Sequence, residues 1–187
     1  MTEALEQLRA AGEAVTSPRL GAPTPCAKWT VAQVIEHAAG DQLAWAAALG
    51  TGRGPQYDPF DPPARLDGRV DELLAPAIAA AGTAWAAVAP DAGPVGTPLP
   101  QGALPAATAA AACALDAAVH AWDVASGVGR PAALSPELAA RLLPAAREIV
   151  EPLRQYGVYA AALPPEPGDD SAAELLRYLG RDPHWRP

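Results

Sequence analysis

Apolar residues recur along this chain at intervals of three and four positions, the spacing that places side chains on one face of an α-helix. The first such run covers residues 3–15, where Leu5, Leu8 and Val15 share a face. Prolines and glycines gather between the runs and favour loops there. The pattern therefore predicts helices that are joined by proline-rich connections.

The second predicted helix has a defined beginning. Thr30 and Gln33 stand at the spacing of a capping box, and Trp29 and Val34 stand at the spacing of a hydrophobic staple. His37 lies at the margin of the apolar stripe of this helix, so its side chain is expected to face a cleft between helices. The stripe consists of Val31, Val34, Ile35, Ala38, Trp45 and Leu49.

Two more predicted helices follow long connections. Residues 51–65 are rich in glycine and proline, and we expect them to cover one end of the helical assembly. A helix over residues 67–88 comes next, and Pro76 is expected to kink or split it, because proline removes a backbone hydrogen bond. Pro105 then suits the first turn of a helix that runs to about Ser126.

The C-terminal part of the chain predicts one long and one short helix. The long helix covers residues 135–157 and contains Pro144 and Pro152, which threaten its regularity. After a loop, Ser171 and Glu174 stand at the spacing of a capping box for a short last helix. The chain thus predicts four main helices with a short fifth or sixth.

Composition supports an all-α fold. The chain has 187 residues, which suffice for one domain with its own hydrophobic core, and we predict a single domain over residues 1–187. Alanine, the best helix former, fills much of the sequence, and the 22 prolines and 16 glycines interrupt it. The expected architecture is a helical bundle with long proline-rich connections.

Charge and cysteine content exclude several classes of protein. A net charge of −8 and a pI near 4.8, with no cluster of basic residues, argue against a nucleic-acid partner. No run of about 18 apolar residues predicts a membrane span, and the N-terminus lacks the basic segment of a secretion signal. We therefore expect a cytoplasmic protein in which Cys26 and Cys113, which lack CxxC spacing, are reduced thiols.

The strongest chemical signal is a pair of potential metal donors. Asp116 and His120 lie four residues apart on one predicted helix, where their Cβ atoms stand roughly 5–6 Å from each other. A metal site built for chemistry wants about three protein donors, so a third must come from another helix. His37 is the natural candidate, because the chain has only three histidines and His184 lies beyond the last predicted helix.

Simpler interpretations of these residues stay open at this point. His37 could be a hydrogen-bonded packing residue, and Asp116 and His120 could form only a surface ion pair. Asp123 is either an acceptor that orients an imidazole from behind or a solvated helix residue. Cys113 shares the helix face with Asp116 and His120 and could be a fourth ligand or have a redox role, although a small buried apolar residue is the ordinary use of such a cysteine.

Three segments resemble a known family. They are Thr24-Pro-Cys-Ala-Lys-Trp-Thr-Val31, which leads to His37, the Asp116 to Ala125 segment with its His-Ala-Trp-Asp core, and the ending Leu179-Gly-Arg-Asp-Pro-His-Trp185. With them the chain resembles the DinB-like superfamily of metal-binding four-helix bundles, in the actinobacterial branch named for mycothiol-dependent maleylpyruvate isomerase.

The resemblance implies a metal site and a class of reaction. It places His37, Asp116 and His120 at the positions of the family's ligands, with Asp116 where the isomerase has a glutamate. It also implies a low-molecular-weight thiol, of the mycothiol type, that the metal activates against a small electrophile. Two imidazoles and a carboxylate suit zinc, nickel or iron(II), and zinc is the expected ion.

Two classes of function follow from the sequence. The first is a metal-dependent thiol transferase or isomerase, whose partners are a small-molecule thiol and an electrophile. The second is a noncatalytic bundle, perhaps a homodimer, in which the metal site is vestigial or serves small-molecule binding. Loss of thiol-dependent turnover on replacing His37 or His120 would separate the two classes.

Overall fold

A computed structural model describes residues 1–131 and 134–187. Over these residues the chain is all-helical, which confirms the predicted fold class, and the only β contacts are two isolated bridges. No helix among the described residues is both long enough and apolar enough to cross a bilayer. The six α-helices are α1 (Thr2–Glu13), α2 (Val31–Ala48), α3 (Val70–Ala86), α4 (Ala106–Gly127), α5 (Pro136–Arg154) and α6 (Ser171–Tyr178).

The first four helices form a bundle. Helix α1 packs against α3 and α4, and α2 also packs against α3 and α4, so the four helices close a ring of contacts. Helix α5 packs on α4 from outside this ring, and α6 packs on α5. The direct contact between α2 and α4 is the one that positions the candidate donors, because His37 lies on α2 while Asp116 and His120 lie on α4.

Helix α4 is the central element of the fold. Fifteen of its 22 residues are buried, and most of them are alanine or another small side chain. A helix that is apolar on all sides has to be enclosed by its neighbours, and small residues let those neighbours approach closely. The polar groups that α4 carries into this interior, His120 and Asp123, therefore need partners inside the protein.

Internal prolines do not divide the helices. Pro76 lies within α3, which is continuous over Val70–Ala86, and Pro144 and Pro152 lie within a continuous α5. The alternative in which Pro76 splits the third helix is therefore wrong, and the alternative in which it kinks the helix stays a prediction. A proline inside a helix removes one hydrogen bond of the ladder, and the packing of α3 against α1 and α2 outweighs that loss.

One of the two predicted capping boxes is present as expected. The Thr30 side chain accepts from the backbone N–H of Gln33, and the Gln33 Oε1 accepts from the Thr30 N–H at 3.1 Å, which sets the start of α2. At α6 the cap is one residue earlier than predicted: Asp170 accepts from the N–H of Ala173 at 2.9 Å. A carboxylate at this position also interacts favourably with the helix dipole, which explains why Asp170 replaces Ser171.

Two glycines offer a matched test of packing after α5 and α6. Gly157 and Gly180 both have positive φ angles, 72° and 78°, which L side chains rarely adopt. A Cβ at Gly157 would meet open space, whereas one at Gly180 would lie 2.8 Å from the Ala160 Cβ and 2.8 Å from the Ala161 carbonyl oxygen.

We expect Gly157→Ala to lower the free energy of unfolding by about 1–2 kcal/mol, the cost of the left-handed backbone conformation. Gly180→Ala should lower it by about another 1–3 kcal/mol, because the added methyl group is overpacked. Urea denaturation followed by circular dichroism measures both. Equal losses in the two variants would contradict this account of the C-terminal packing.

Candidate metal centre

His37 is held in a defined orientation on α2. Its ring is buried, and its Nδ1 lies 2.8 Å from the carbonyl oxygen of Pro59, so this nitrogen carries the hydrogen and donates it. The rings of Trp29 and Phe60 flank His37, with centroid distances of 4.5 and 5.6 Å. The glycine- and proline-rich connection that contains Pro59 and Phe60 thus lies over this part of α2, and it leaves Nε2 of His37 pointing toward α4.

The α4 residues meet that nitrogen from the other side. Oδ1 of Asp116 lies 4.0 Å from Nε2 of His37 and 3.3 Å from Nε2 of His120. The rings of His37 and His120 are nearly perpendicular, with a centroid distance of 4.7 Å. The direct packing of α2 on α4 therefore brings together the three residues that the sequence singled out.

The three side chains form a group that could hold a metal ion. One donor atom from each of His37, Asp116 and His120 can be chosen so that all lie within 4.8 Å of one another. Two imidazoles and a carboxylate form a donor set that suits zinc and other divalent transition metals. The residues fit a divalent cation, while their role as ligands stays a prediction.

The two imidazoles have opposite electrostatic environments. Burial, followed by the nearby charge of His120, lowers the pKa of His37 to about 4, so His37 is neutral. Burial would also lower the pKa of His120, but the carboxylates of Asp116 and Asp123 outweigh it and raise the pKa to about 9. Burial likewise acts to raise the pKa of Asp116, and His120 overcomes it and keeps this pKa low. The carboxylates of the centre therefore stabilise a positive charge in a buried location.

A buried ion pair lies behind His120. Asp123 is fully buried, and its Oδ2 lies 3.1 Å from Nδ1 of His120. Arg181, which follows α6, donates to both carboxylate oxygens of Asp123 at 2.9 and 2.8 Å. Although burial raises the pKa of Asp123, Arg181 and His120 lower it below its usual value. Asp123 is thus an acceptor that orients His120 rather than a solvated residue.

A second chain of contacts reaches Asp116. Gln42, which is fully buried on α2, donates from Nε2 to Oδ2 of Asp116 at 3.1 Å. Cys113 donates its thiol to Oε1 of Gln42 at 3.4 Å. Burial raises the pKa of Cys113, so it remains a thiol, and it lies outside the group of three donors. The hydrogen-bond path from Cys113 to Asp116 therefore runs through Gln42.

Asp41 belongs to the same neighbourhood and was missed by the sequence analysis. Its Oδ2 lies 3.6 Å from Nε2 of His37. Burial, followed by the charge of Asp116, raises the pKa of Asp41 well above its usual value. The signal was present in the sequence, because His37 and Asp41 are four residues apart on one helix, the same spacing that singled out Asp116 and His120.

Gln42 and Arg181 were also missed, and for them the sequence carries no comparable signal. Arg181 lies 58 positions from Asp123, and only the folded chain brings the two together. His184 is exposed and lies outside the group of donors, as expected from the sequence.

The sequence model of the family described as the mycothiol maleylpyruvate isomerase N-terminal domain matches residues 1–125. This range covers α1 to α3 and nearly all of α4, and it includes every candidate donor.

Two similar proteins come from Mycobacterium tuberculosis. The uncharacterized protein Rv0738 of strain H37Rv and the uncharacterized protein MT0763 of strain CDC 1551 are each 38% identical to this chain over 173 residues. The similarity covers 89% of this chain and 87% of each relative. No solved structure matches this chain.

The Asp123–Arg181 pair should contribute far more to stability than a surface pair. Arg181→Met would leave the buried Asp123 carboxylate without its guanidinium partner, and we expect the free energy of unfolding to fall by about 3–5 kcal/mol. Arg141→Met is the control, because Arg141 pairs with Glu3 on the surface, with side chains 66% and 43% exposed, and should cost at most about 1 kcal/mol. Chemical denaturation measures both, and similar losses would show that the buried pair is not the dominant contact.

Proposed function

The chain belongs to the family of the mycothiol maleylpyruvate isomerase N-terminal domain, and we propose that it binds a divalent metal and uses it in a thiol-dependent reaction. The reaction is the transfer of a low-molecular-weight thiol of the mycothiol type to a small electrophile, or a thiol-assisted isomerisation of that electrophile. The observation that carries the proposal is the convergence of His37, Asp116 and His120 from two helices on one point.

The donor set supports this chemistry without a protein nucleophile. A divalent ion at this position would lower the pKa of a thiol or water in an open coordination position and so supply a nucleophile near neutral pH. Zinc is the proposed ion, and nickel and iron(II) are compatible with the same donors. Neither cysteine is suited to act as the nucleophile, because burial raises the pKa of Cys26 to about 11 and that of Cys113 further still.

The residues around the donors hold them in place. The Pro59 carbonyl fixes the ring of His37, Asp123 fixes the ring of His120, and Gln42 holds one oxygen of Asp116. Partners of this kind set the tautomer and direction of a ligating imidazole and typically affect metal affinity by about 10–100-fold. Such preorganisation supports a site that was built to bind an ion.

The aromatic rings beside His37 support a small, partly apolar substrate. Trp29 and Phe60 present aromatic rings beside His37, and the Phe60 side chain is 55% exposed. An exposed phenylalanine can bury its ring against the carbon skeleton of a substrate. Maleylpyruvate, which appears in the family's name, is one electrophile to test, and the thiol in that name is mycothiol.

Metal content tests the first half of the proposal. We expect the purified, tag-free protein to carry close to one divalent ion per chain and His120→Ala to lose most of it, because the variant lacks one of three donors. His184→Ala is the matched control, since His184 is exposed and outside the group of donors, and it should keep the parent's content. Elemental analysis by mass spectrometry measures all three proteins. The same metal content in the parent and in His120→Ala would contradict the assignment.

Turnover tests the second half. With mycothiol as the thiol and maleylpyruvate plus a panel of small electrophiles as substrates, we expect consumption that depends on both thiol and metal. His37→Ala and His120→Ala should each lower the rate by about 100-fold or more, because a metal typically supplies several kcal/mol of transition-state stabilisation. Metal binding without turnover of any electrophile would instead support the noncatalytic class.

A further inference from the structure

The candidate metal centre contains two copies of the same couple. Helix α4 presents Asp116 and His120 four residues apart, and α2 presents His37 and Asp41 four residues apart. Residues at this spacing lie one above the other on a helix, so each helix directs one imidazole and one carboxylate toward its neighbour. The packing of α2 on α4 brings the two couples face to face.

Asp41 faces the side of His37 that carries no hydrogen. Because Nδ1 of His37 donates to the Pro59 carbonyl, Nε2 of this neutral ring presents a lone pair. Oδ2 of Asp41 lies 3.6 Å from that Nε2, and Oδ1 of Asp116 lies 4.0 Å from it. Both distances exceed those of a normal hydrogen bond, roughly 2.7–3.2 Å. Two carboxyl groups therefore lie near the lone pair of one imidazole, with no hydrogen of His37 between them.

The spacing of these atoms suits a shared cation. Donor atoms that sit about 2.0–2.2 Å from one ion in a tetrahedral arrangement are roughly 3.3–3.6 Å from one another. The contact of Asp41 with His37, at 3.6 Å, and that of Asp116 with His120, at 3.3 Å, lie in this range. The His37–Asp116 distance of 4.0 Å lies a little outside it and would shorten on binding. Asp41 lies outside the group whose donor atoms are all within 4.8 Å of one another, so its carboxylate would also move toward the ion.

The charges around the centre also support a shared cation. The charge of Asp123 is offset by Arg181, which leaves Asp41 and Asp116 as two further carboxylates beside the imidazoles. Two carboxylates held in a largely buried location are costly unless positive charge accompanies them. A divalent cation would take the place of the hydrogens on Nε2 of His120 and on the Asp41 carboxyl group, and its charge would then be matched by two carboxylates beside two neutral imidazoles.

We propose that Asp41 is a fourth protein donor, so that the centre is formed by two imidazoles and two carboxylates rather than by three residues. The inference rests on the proposed function in so far as that function includes a bound metal. With four protein donors, a nickel or iron ion of octahedral preference keeps two positions for other ligands, and zinc keeps one if it expands to five. Asp41 would thereby limit the number of coordination positions that a thiol and an electrophile can occupy on the ion.

Metal affinity provides the first test. Competition with a chromophoric chelator gives the zinc and cobalt(II) dissociation constants of the parent, Asp41→Asn and Asp91→Asn. Asparagine keeps the shape of the side chain but not its charge, and we expect Asp41→Asn to weaken binding by more than about 100-fold, beyond the range for a residue that only supports a ligand. Asp91→Asn, an exposed site of equal charge change, should match the parent. Binding by Asp41→Asn within tenfold of the parent would overturn the inference.

A spectroscopic test separates direct binding from support. Cobalt(II) bound to a thiolate has an intense near-ultraviolet charge-transfer band that carboxylate and imidazole donors do not produce. Asp41→Cys places a thiol at the position in question, and we expect the band to appear in this variant and to be absent in the parent and in Asp91→Cys. Bound cobalt without the band in Asp41→Cys would show that position 41 does not reach the ion. Circular dichroism of each variant confirms that it folds, and the cysteine variant remains informative if the asparagine variant does not fold.

The two proposals fail in different ways. If the parent itself binds no divalent ion, the proposed function and this inference fall together. If the parent binds an ion, and His120→Ala loses it while Asp41→Asn keeps it, only the role of Asp41 is wrong. If both variants lose the ion but no electrophile turns over, the four-donor centre stands and the thiol-dependent reaction does not.

Discussion

Helix α4 carries Asp116, His120 and Asp123 into the interior, and the need to compensate these ionisable groups shapes the rest of the molecule. The helix is enclosed on nearly all sides, so water cannot solvate Asp123 or His120 to any large extent. Two of these groups have a partner on another element: α2 supplies Gln42 to Asp116, and the segment after α6 supplies Arg181 to Asp123. Behind His120 the partners form a closed ion pair, whereas between α2 and α4 two carboxyl groups and two imidazoles lie close together.

The two groups of residues around His120 have different roles, one structural and one chemical. On the side of Asp123, a bidentate guanidinium and an imidazole satisfy the carboxylate, which gives a rigid support. On the side of Asp116 and Asp41, two carboxyl groups and two imidazole nitrogens lie close together, which is a donor set that suits a divalent cation. A rigid support next to a group of potential donors is an arrangement that suits a metal centre.

The candidate centre also links two parts of the chain that the family comparison treats differently. The family match ends at residue 125, inside α4, and includes all candidate donors. Arg181 lies outside that range, yet it neutralises the carboxylate that orients His120. Helix α5 packs against α4, and α6 packs against α5. The segment that follows α6 therefore contributes to the centre through one side chain, Arg181.

The sequence was sufficient for features that depend on neighbours along the chain. Helical spacing, the Thr30 capping box and the four-residue separation of Asp116 and His120 are local, and the structure has each of them. The same local rule would have identified Asp41, had it been applied to α2 as it was to α4. The expectation that Pro76 could divide a helix was local as well, and it was wrong because packing between helices outweighs one lost hydrogen bond.

What only the tertiary structure decided is which distant groups meet. The sequence determined that the protein is helical, that its interior is built largely from small apolar residues, and that two helices carry metal-donor side chains at helical spacing. It could not determine that Nε2 rather than Nδ1 of His37 faces α4, that Gln42 lies between Cys113 and Asp116, or that Arg181 reaches Asp123. Those facts depend on the rotation and separation of packed helices and on the path of the loops, which are set by the complementarity of whole surfaces rather than by any short segment.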